Sequence, residues 1–275
     1  MSLQVYPTLP GLTLPLLRMA EFDTLVQQGT NKYDVRLPQT VNPMWSWQLI
    51  YDFVRDFAYG PFFTVTELRT LLDFFLYQGG QAGDFLFQDP DDNSVGPAIF
   101  NYSVIQSNGV TVAQLNNLSF QSNGTLVAID GGVTPNTPMA QLQIVTDGAG
   151  NYYSPLQRTL GGLFYEDITD LNTSSTGQAL VVYANGVLKA SGTDYTLMGP
   201  GLAVPGASYM GMYLKWAAAP TGPITAQFSF YFRVHFETDS QDMEKFANQF
   251  WTIGGSESQK GSGQIKLMQS RPNPL

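Results

Sequence analysis

Phe228-Ser229-Phe230-Tyr231-Phe232-Arg233-Val234-His235-Phe236 decides the fold class. Apolar side chains recur at every second position, the period of a β-strand that buries one face. Phe228, Phe230, Phe232, Val234 and Phe236 are expected on the core side, with Ser229, Tyr231, Arg233 and His235 opposite. On the C-terminal side, a short helix is expected from Thr238 or Asp239, covering Met243 to Phe250. A Gly/Ser loop from Gly254 to Gly263 then leads to a final strand, Gln264-Ile265-Lys266-Leu267-Met268.

On the N-terminal side lies Pro220-Thr221-Gly222-Pro223, and before it a stretch from about Phe100 that is poor in charge and rich in turns. Asn-Gly pairs stand at Asn108-Gly109, Asn123-Gly124 and Asn185-Gly186; such pairs favour the type I′ turns of two-residue hairpins. The clearest hairpin runs Ala179 to Ala184, Asn185-Gly186, then Val187-Leu188-Lys189. Gln106-Ser107-Asn108-Gly109 recurs as Gln121-Ser122-Asn123-Gly124, which suggests neighbouring hairpins and falls short of the three units a solenoid needs.

Further toward the start, Thr64-Val65-Thr66-Glu67 reads as a capping box, and Leu68, Leu71, Leu72 and Phe75 follow at helical spacing. Gly79-Gly80 supplies a left-handed stop, and Asp84 to Asp89 forms a strand closed by the turn Pro90-Asp91-Asp92-Asn93. Trp45 to Val54 alternates as a strand, with Trp45, Trp47, Leu49, Tyr51 and Phe53 on one face. Pro7, Pro10, Pro15 and Pro38 make the first forty residues an extended arm with short edge strands. The chain is therefore expected to be mainly β with one α-helix: residues 1–99 and 224–275 form one domain, and 100–223 an inserted all-β domain.

Composition narrows the function. The 275 residues suffice for one large β domain or two modest ones. Hydrophobic residues make up 43% and charged residues only 13%, which points to a packed globule with an uncharged polar surface. The net charge of −9 opposes stable binding to phosphate backbones, while an acidic wall lets DNA pass without sticking. With no cysteine, there is no disulfide, thiolate metal site or thiol nucleophile. Met1 to Pro7 shows no secretion signal, and no apolar run approaches the ~20 residues that span a bilayer.

Catalytic patterns fail in turn. His235 is the single histidine, so two-histidine metal motifs are excluded and a histidine-based triad has one candidate base. Asp89, Asp91 and Asn93 open like a calcium loop, but the sixth position is Ser94 and the twelfth Phe100, where the loop requires Gly and Glu. Lys260 lacks the Gly-Lys-Ser/Thr order of a phosphate loop, and Asp147-Gly148-Ala149-Gly150 lacks the dinucleotide fingerprint. Glu166-Asp167 and Asp91-Asp92 are adjacent acids, more often solvated turn residues than a glycosidase pair. No catalytic residue, cofactor site or metal site is expected.

Several stretches, taken in order, resemble the distal tail protein family of long-tailed phages and gene transfer agents. The helix with Phe74-Phe75, then Gly79-Gly80, then Gly83-Asp84-Phe85-Leu86-Phe87-Gln88-Asp89-Pro90 is similar to that family's aromatic pair, glycine turn and aromatic-x-Phe-x-Asp strand. Asp147-Gly148, Leu156-Gln157-Arg158-Thr159 and Tyr165-Glu166-Asp167-Ile168 resemble the start of its second half. Tyr183-Ala184-Asn185-Gly186-Val187 with Asp194-Tyr195-Thr196-Leu197 resembles a family hairpin, and Val234 to Asp239 a family strand. His235 stands where the family tends to carry Arg, Gln78 and Gln81 make the helix-to-strand turn less basic, and Asn101 to Ile144 is additional.

The resemblance implies a tail-tube-like β-sandwich with one flanking helix and an inserted small barrel or sandwich. Its motif positions here are Phe74, Phe75, Gly79, Gly80, Phe85, Phe87, Asp89, Arg158, Tyr165, Asn185, Gly186, Phe236 and Asp239. It implies a non-enzymatic virion protein at the distal end of the tail, made in the host cytoplasm. This protein would form a homo-hexameric ring between tail tube protein and baseplate hub protein, with the tape measure protein a further candidate partner. DNA would pass through the lumen during genome ejection without specific binding, and the arm from Met1 to about Asp23 would reach a neighbouring subunit. The rival reading is a carbohydrate-binding or host-recognition module using Tyr152, Tyr153, Phe164, Tyr165, Tyr209 and Trp216; a glycosidase built on Glu166 and Asp167 is a third.

Overall fold

The computed structural model describes residues 3–9, 12–28, 34–39, 43–51, 54–56, 66–95, 102–107, 110–115, 118–120, 126–128, 140–160, 164–174, 177–204, 207–241, 243–247, 250–253 and 263–270. The protein is mainly β, with one α-helix and several antiparallel sheets among these residues. It divides into two compact units, Met1–Gln88 with Phe232–Arg271, and Asp89–Tyr231. The borders expected near 100 and 223 thus fall at 88/89 and 231/232. The Ile224–Phe236 strand is thirteen residues long and gives its first eight residues to the second unit and its last five to the first.

In the first unit the sheet runs Leu12–Glu21, Met44–Tyr51, Gly263–Gln269, then the end of Ile224–Phe236, with Phe85–Phe87 on its far side. Trp47, Leu49, Tyr51, Ile265, Leu267, Val234, Phe236, Phe85 and Phe87 are buried, while Gln48, Gln264 and His235 between them are only half-buried. That is the alternation expected of a sheet covered on one face. Trp45 is half-buried, and Phe53 lies outside the described residues.

The helix Glu67–Gln78 packs on that face through Leu68, Leu71, Phe74 and Phe75. It stops at Gly79, whose φ of 69° is the left-handed cap a glycine adopts without strain. Its start differs from the expected capping box. Thr64 lies outside the described residues, Thr66 is the cap residue without a side-chain cap bond, and Glu67 is the first helical residue. The Glu67 carboxylate accepts from the Arg55 backbone N–H at 3.0 Å and Nε at 3.1 Å, a bond that also places a negative charge at the positive end of the helix. Leu72 is exposed, together with Leu76 and Tyr77, so the apolar stripe is narrower than its spacing implied.

Two further expectations are corrected here. The helix over Met243 to Phe250 is instead a pair of strands, Met243–Ala247 and Phe250–Ile253, joined by Val54–Arg55 into a three-stranded sheet. The Trp251 and Val54 backbones meet there, a long-range pairing that outweighs local helical spacing. The first forty residues do not form a free arm: Leu12–Glu21 pairs along its length with Met44–Tyr51 of the same chain, with a register break between Thr13 and Leu17, around Pro15. Beyond it, Thr24–Gln28 and Asp34–Pro38 form a two-stranded ribbon.

The second unit is all β among its described residues. Val181–Ala184 turns through Asn185 (φ 51°) and Gly186 (φ 74°) into Val187–Lys189, the two-residue hairpin expected from Asn-Gly. Tyr102–Ser107 pairs Val110–Leu115, and Leu118–Phe120 pairs Leu126–Ala128; Asn108-Gly109 and Asn123-Gly124 lie outside the described residues. A four-stranded sheet of Val145–Thr146, Tyr152–Pro155, Tyr213–Trp216 and Tyr195–Met198 carries buried Leu214, Trp216 and Tyr195.

In this unit the long strand is buried on both faces from Phe228 to Tyr231. Ser229 and Tyr231, expected to face solvent, are covered and satisfied: the Ser229 hydroxyl oxygen accepts from the Gln178 N–H at 2.7 Å, and the Tyr231 hydroxyl donates to Asn172 Oδ1 at 2.9 Å.

Candidate functional site

Most of the motif residues gather at two places, while Tyr165 and Asn185-Gly186 stand apart. In the first unit, Phe85 is fully buried and meets Phe74 at 5.0 Å between ring centroids, edge to face, and Phe236 at 4.8 Å. Phe75 meets Phe236 at 5.0 Å, and Phe87 meets Trp47 at 5.4 Å. Tyr6 closes the cluster against Phe74, Phe85 and Phe87. Edge-to-face pairs of this kind add ~0.5–1.5 kcal/mol each beyond the area they bury.

Beside this cluster, Gly80 explains why two glycines follow the helix. Its φ is 65°, and an added Cβ would lie 2.8 Å from Asp239 Oδ1 and 3.1 Å from the Asp239 Cα. The same Asp239 oxygen accepts from the Gln81 N–H at 2.9 Å, and the Gln81 side-chain amide donates to the Glu237 carbonyl. Residues 158 positions apart are thereby clasped, and each named group acts as structure.

In the second unit the centre is Arg158, with only 2% of its surface exposed. Strands Gln157–Leu160 and Phe164–Asp167 pair so that Arg158 lies directly opposite Glu166. Arg158 Nε and Nη2 donate to Glu166 Oε2 at 2.9 and 2.6 Å, and Nη1 donates to Asp92. The guanidinium also lies 5.0 Å from the Phe230 ring centroid. Buried Asp89 shapes the turn that delivers Asp92: its Oδ1 accepts from the Asp91 N–H at 2.9 Å, and its backbone carbonyl accepts from Asn93 Nδ2 at 2.7 Å. Asp89 and Arg158 therefore belong to one construction. Tyr165 is 40% exposed on the other face of its strand, and Asn185-Gly186 forms its own turn.

The acids proposed for a glycosidase are engaged separately. Glu166 is buried against Arg158; Asp167 accepts from Gln157 Nε2 at 2.8 Å and from the Met210 N–H at 2.8 Å. As neighbours on one strand they point to opposite faces. Of the rings proposed for sugar stacking, Trp216 is buried with its indole N–H donating to Ser154 Oγ at 2.9 Å, and Tyr153 packs edge-to-face on Tyr213. Tyr152 and Tyr209 are half-buried, and the Phe164 side chain lies outside the described residues.

One constellation carried no sequence signal. His235 Nδ1 lies 2.6 Å from Ser270 Oγ, which in turn donates to Asp84 Oδ1 at 2.7 Å. A nucleophilic serine needs histidine between it and the carboxylate. Here serine is in the middle and its proton is committed to Asp84, so Nδ1 is the donor to Ser270 and the chain ties the last described residue to the strand end. Among the described residues, no three His, Asp or Glu side chains gather as metal ligands.

Titration shifts mark structure as well. Burial raises the Tyr6 phenol well above its ordinary value, and Tyr51, 3.2 Å away, is raised by the same cause. The Asn151 amide and the Ala149 N–H lower the Asp147 carboxyl, ordering an exposed Asp-Gly turn. No helix among the described residues is long and apolar enough to cross a membrane. Compared with known proteins, the chain matches no family model and no curated protein.

Proposed function

We propose that this chain is a structural ring subunit at the distal end of a phage-type tail, with a tail-tube-like β-sandwich in its first unit and a sandwich or barrel in its second. One observation carries the reading. The stretches that resemble distal tail proteins are far apart in sequence, yet their residues interlock as packing and clasp groups: Phe74, Phe85 and Phe236 in one cluster, Gly80 with Asp239, and Arg158 with Asp92 on the turn that Asp89 shapes. A family pattern maintained by folding would select such residues, whereas a catalytic pattern would leave polar groups converging on open space.

The subunit would close a hexamer by head-to-tail contacts, stack between tail tube and baseplate hub, and leave a lumen for DNA. A net charge of −9 suits a wall that DNA crosses without binding. The test is native mass spectrometry of the purified protein with negative-stain imaging of the same sample. A six-fold ring with a central hole supports the reading; a protein that stays monomeric both alone and with tail tube protein overturns it.

A further inference from the structure

Every described side chain of the ribbon Thr24–Gln28/Asp34–Pro38 is exposed, including Leu25 (46%), Val26 (55%), Val35 (64%) and Leu37 (56%). The apolar residues occupy both faces, so no rotation of the ribbon hides them. An isolated two-stranded ribbon is marginal in water, and a contiguous exposed apolar surface marks a contact. Among the described residues the ribbon pairs with no third strand. It also presents a cation, Arg36, whose side chain is 72% exposed and reaches Asp34 only at 3.6 Å.

The same unit contains a complementary receiver. Among the described strands Leu12–Glu21 is the edge of its sheet, bonded to Met44–Tyr51 on one side and to none on the other. At the end of this strand is an open cavity of about 290 Å³, lined by Glu21, Phe22, Asp23, Met44, Trp45, Ser46 and Met268. The charged groups that line it, Glu21 and Asp23, are both acidic, the Arg18 guanidinium lies 3.9 Å over the Trp45 ring of its wall, and Ser46 donates to Glu21. Phe22 (60%), Leu17 (44%) and Met19 (38%) extend the apolar surface along the edge.

We propose that the ribbon of one copy docks along the Leu12–Glu21 edge of a second copy, with Arg36 entering the acidic, Trp45-walled cavity. An unpaired ribbon, an unpaired edge and opposite charges on one chain make the second copy the matching partner. Ribbon and cavity are different surfaces, so the contact is head-to-tail and repeats around a closed ring. The ribbon offers ten strand residues and the edge strand ten, about half of what a standard interface uses on each side, so this contact supplies part of the ring interface. The inference rests on the ring reading and names the surface that builds it.

The chain has no cysteine, so disulfide trapping has no background. Within one chain, Arg36 pairs opposite Val26 while Glu21 pairs opposite Met44. A bridge formed within one chain would leave a monomer on the gel and is thereby told apart from a ladder. The double variant Arg36→Cys/Glu21→Cys, oxidised in the assembled protein, is expected to give a ladder of covalent oligomers ending at ring size. An equimolar mixture of the two single variants is expected to stop at the dimer. In parallel, Arg36→Glu is expected to weaken assembly by at least ten-fold in concentration, with Glu21→Arg/Asp23→Arg restoring it in combination, while far-ultraviolet dichroism stays unchanged. Rings that persist in Arg36→Glu without any ladder overturn the ribbon contact and leave the ring reading standing. A ladder ending at a two-fold dimer upholds the contact and overturns the ring. Monomers with no ladder overturn both.

Discussion

The two units fasten their distant segments by opposite chemistry. In the first, segments around residues 6, 74, 85 and 236 meet through aromatic rings that need no partner of opposite charge. In the second, segments around 92, 158 and 166 meet through a buried guanidinium shared by two carboxylates. The first arrangement tolerates loss of one contact at the cost of a cavity; the second leaves a bare buried charge if one member is lost. The first unit also has an ion pair, Arg55 with Glu67, but it secures one helix start and not a junction of distant strands.

The largest expected effects set the two against each other. Arg158→Met strands Glu166 and should cost about 3–5 kcal/mol, measured by chemical denaturation, with faster amide exchange confined to Gln157–Asp167. Replacing both partners, Arg158→Met with Glu166→Leu, should recover most of that loss; failure to recover would mean that Asp92, not Glu166, dominates the site. Phe85→Ala should cost a similar 3–5 kcal/mol, but no second substitution of charge repairs it, and its faster exchange should appear in helix Glu67–Gln78.

Gly80→Ala comes next, at about 1–3 kcal/mol, from a positive φ and the contact with Asp239. Asp239→Ala in that background should relieve part of the loss in melting temperature. Smaller still is the alkaline response of the first unit. Burial raises the folded-state pKa of Tyr6 and Tyr51 above the ordinary value near 10, so the unfolded chain ionises first. Stability is complete below about pH 10 and declines as pH rises through the folded-state value. Melting temperatures between pH 9 and 11 should fall less steeply in Tyr6→Phe than in the parent.

Some of this was legible in the residues alone. Period-two alternation located the long strand and the Trp47–Tyr51 face, and Gly79 and Asn185-Gly186 stood at the left-handed positions that only such residues occupy easily. What local pattern did not reveal was pairing. Met243–Ala247 is a strand because Phe250–Ile253 and Val54–Arg55 complete its sheet, and Tyr231 is buried because Asp170–Leu171 covers it from sixty residues away. The joining of Asp92 to Arg158 and of Ser270 to His235 depends equally on contacts across the chain, for which single-sequence spacing carries no signal. Exposure of the ribbon was hidden for the converse reason: Leu25, Val26, Val35 and Leu37 look like core residues to any hydropathy rule.

Gly263–Gln269 lies between Met44–Tyr51 and Ile224–Phe236 in the first sheet, although it is the last described strand of the chain. A ribosome that has released Gln88 must add 175 further residues before Gly263 exists. At ~5–20 residues per second that interval lasts on the order of 10–35 s. From the release of Phe236 until Gly263–Gln269 follows, the sheet has a gap at its centre, and Trp47 and Phe236 have no Leu267 between them. The completed sheet, and any assembly built on it, is thus reserved for chains translated at least to Gln269, so products that stop before that strand are screened out before they reach a partner.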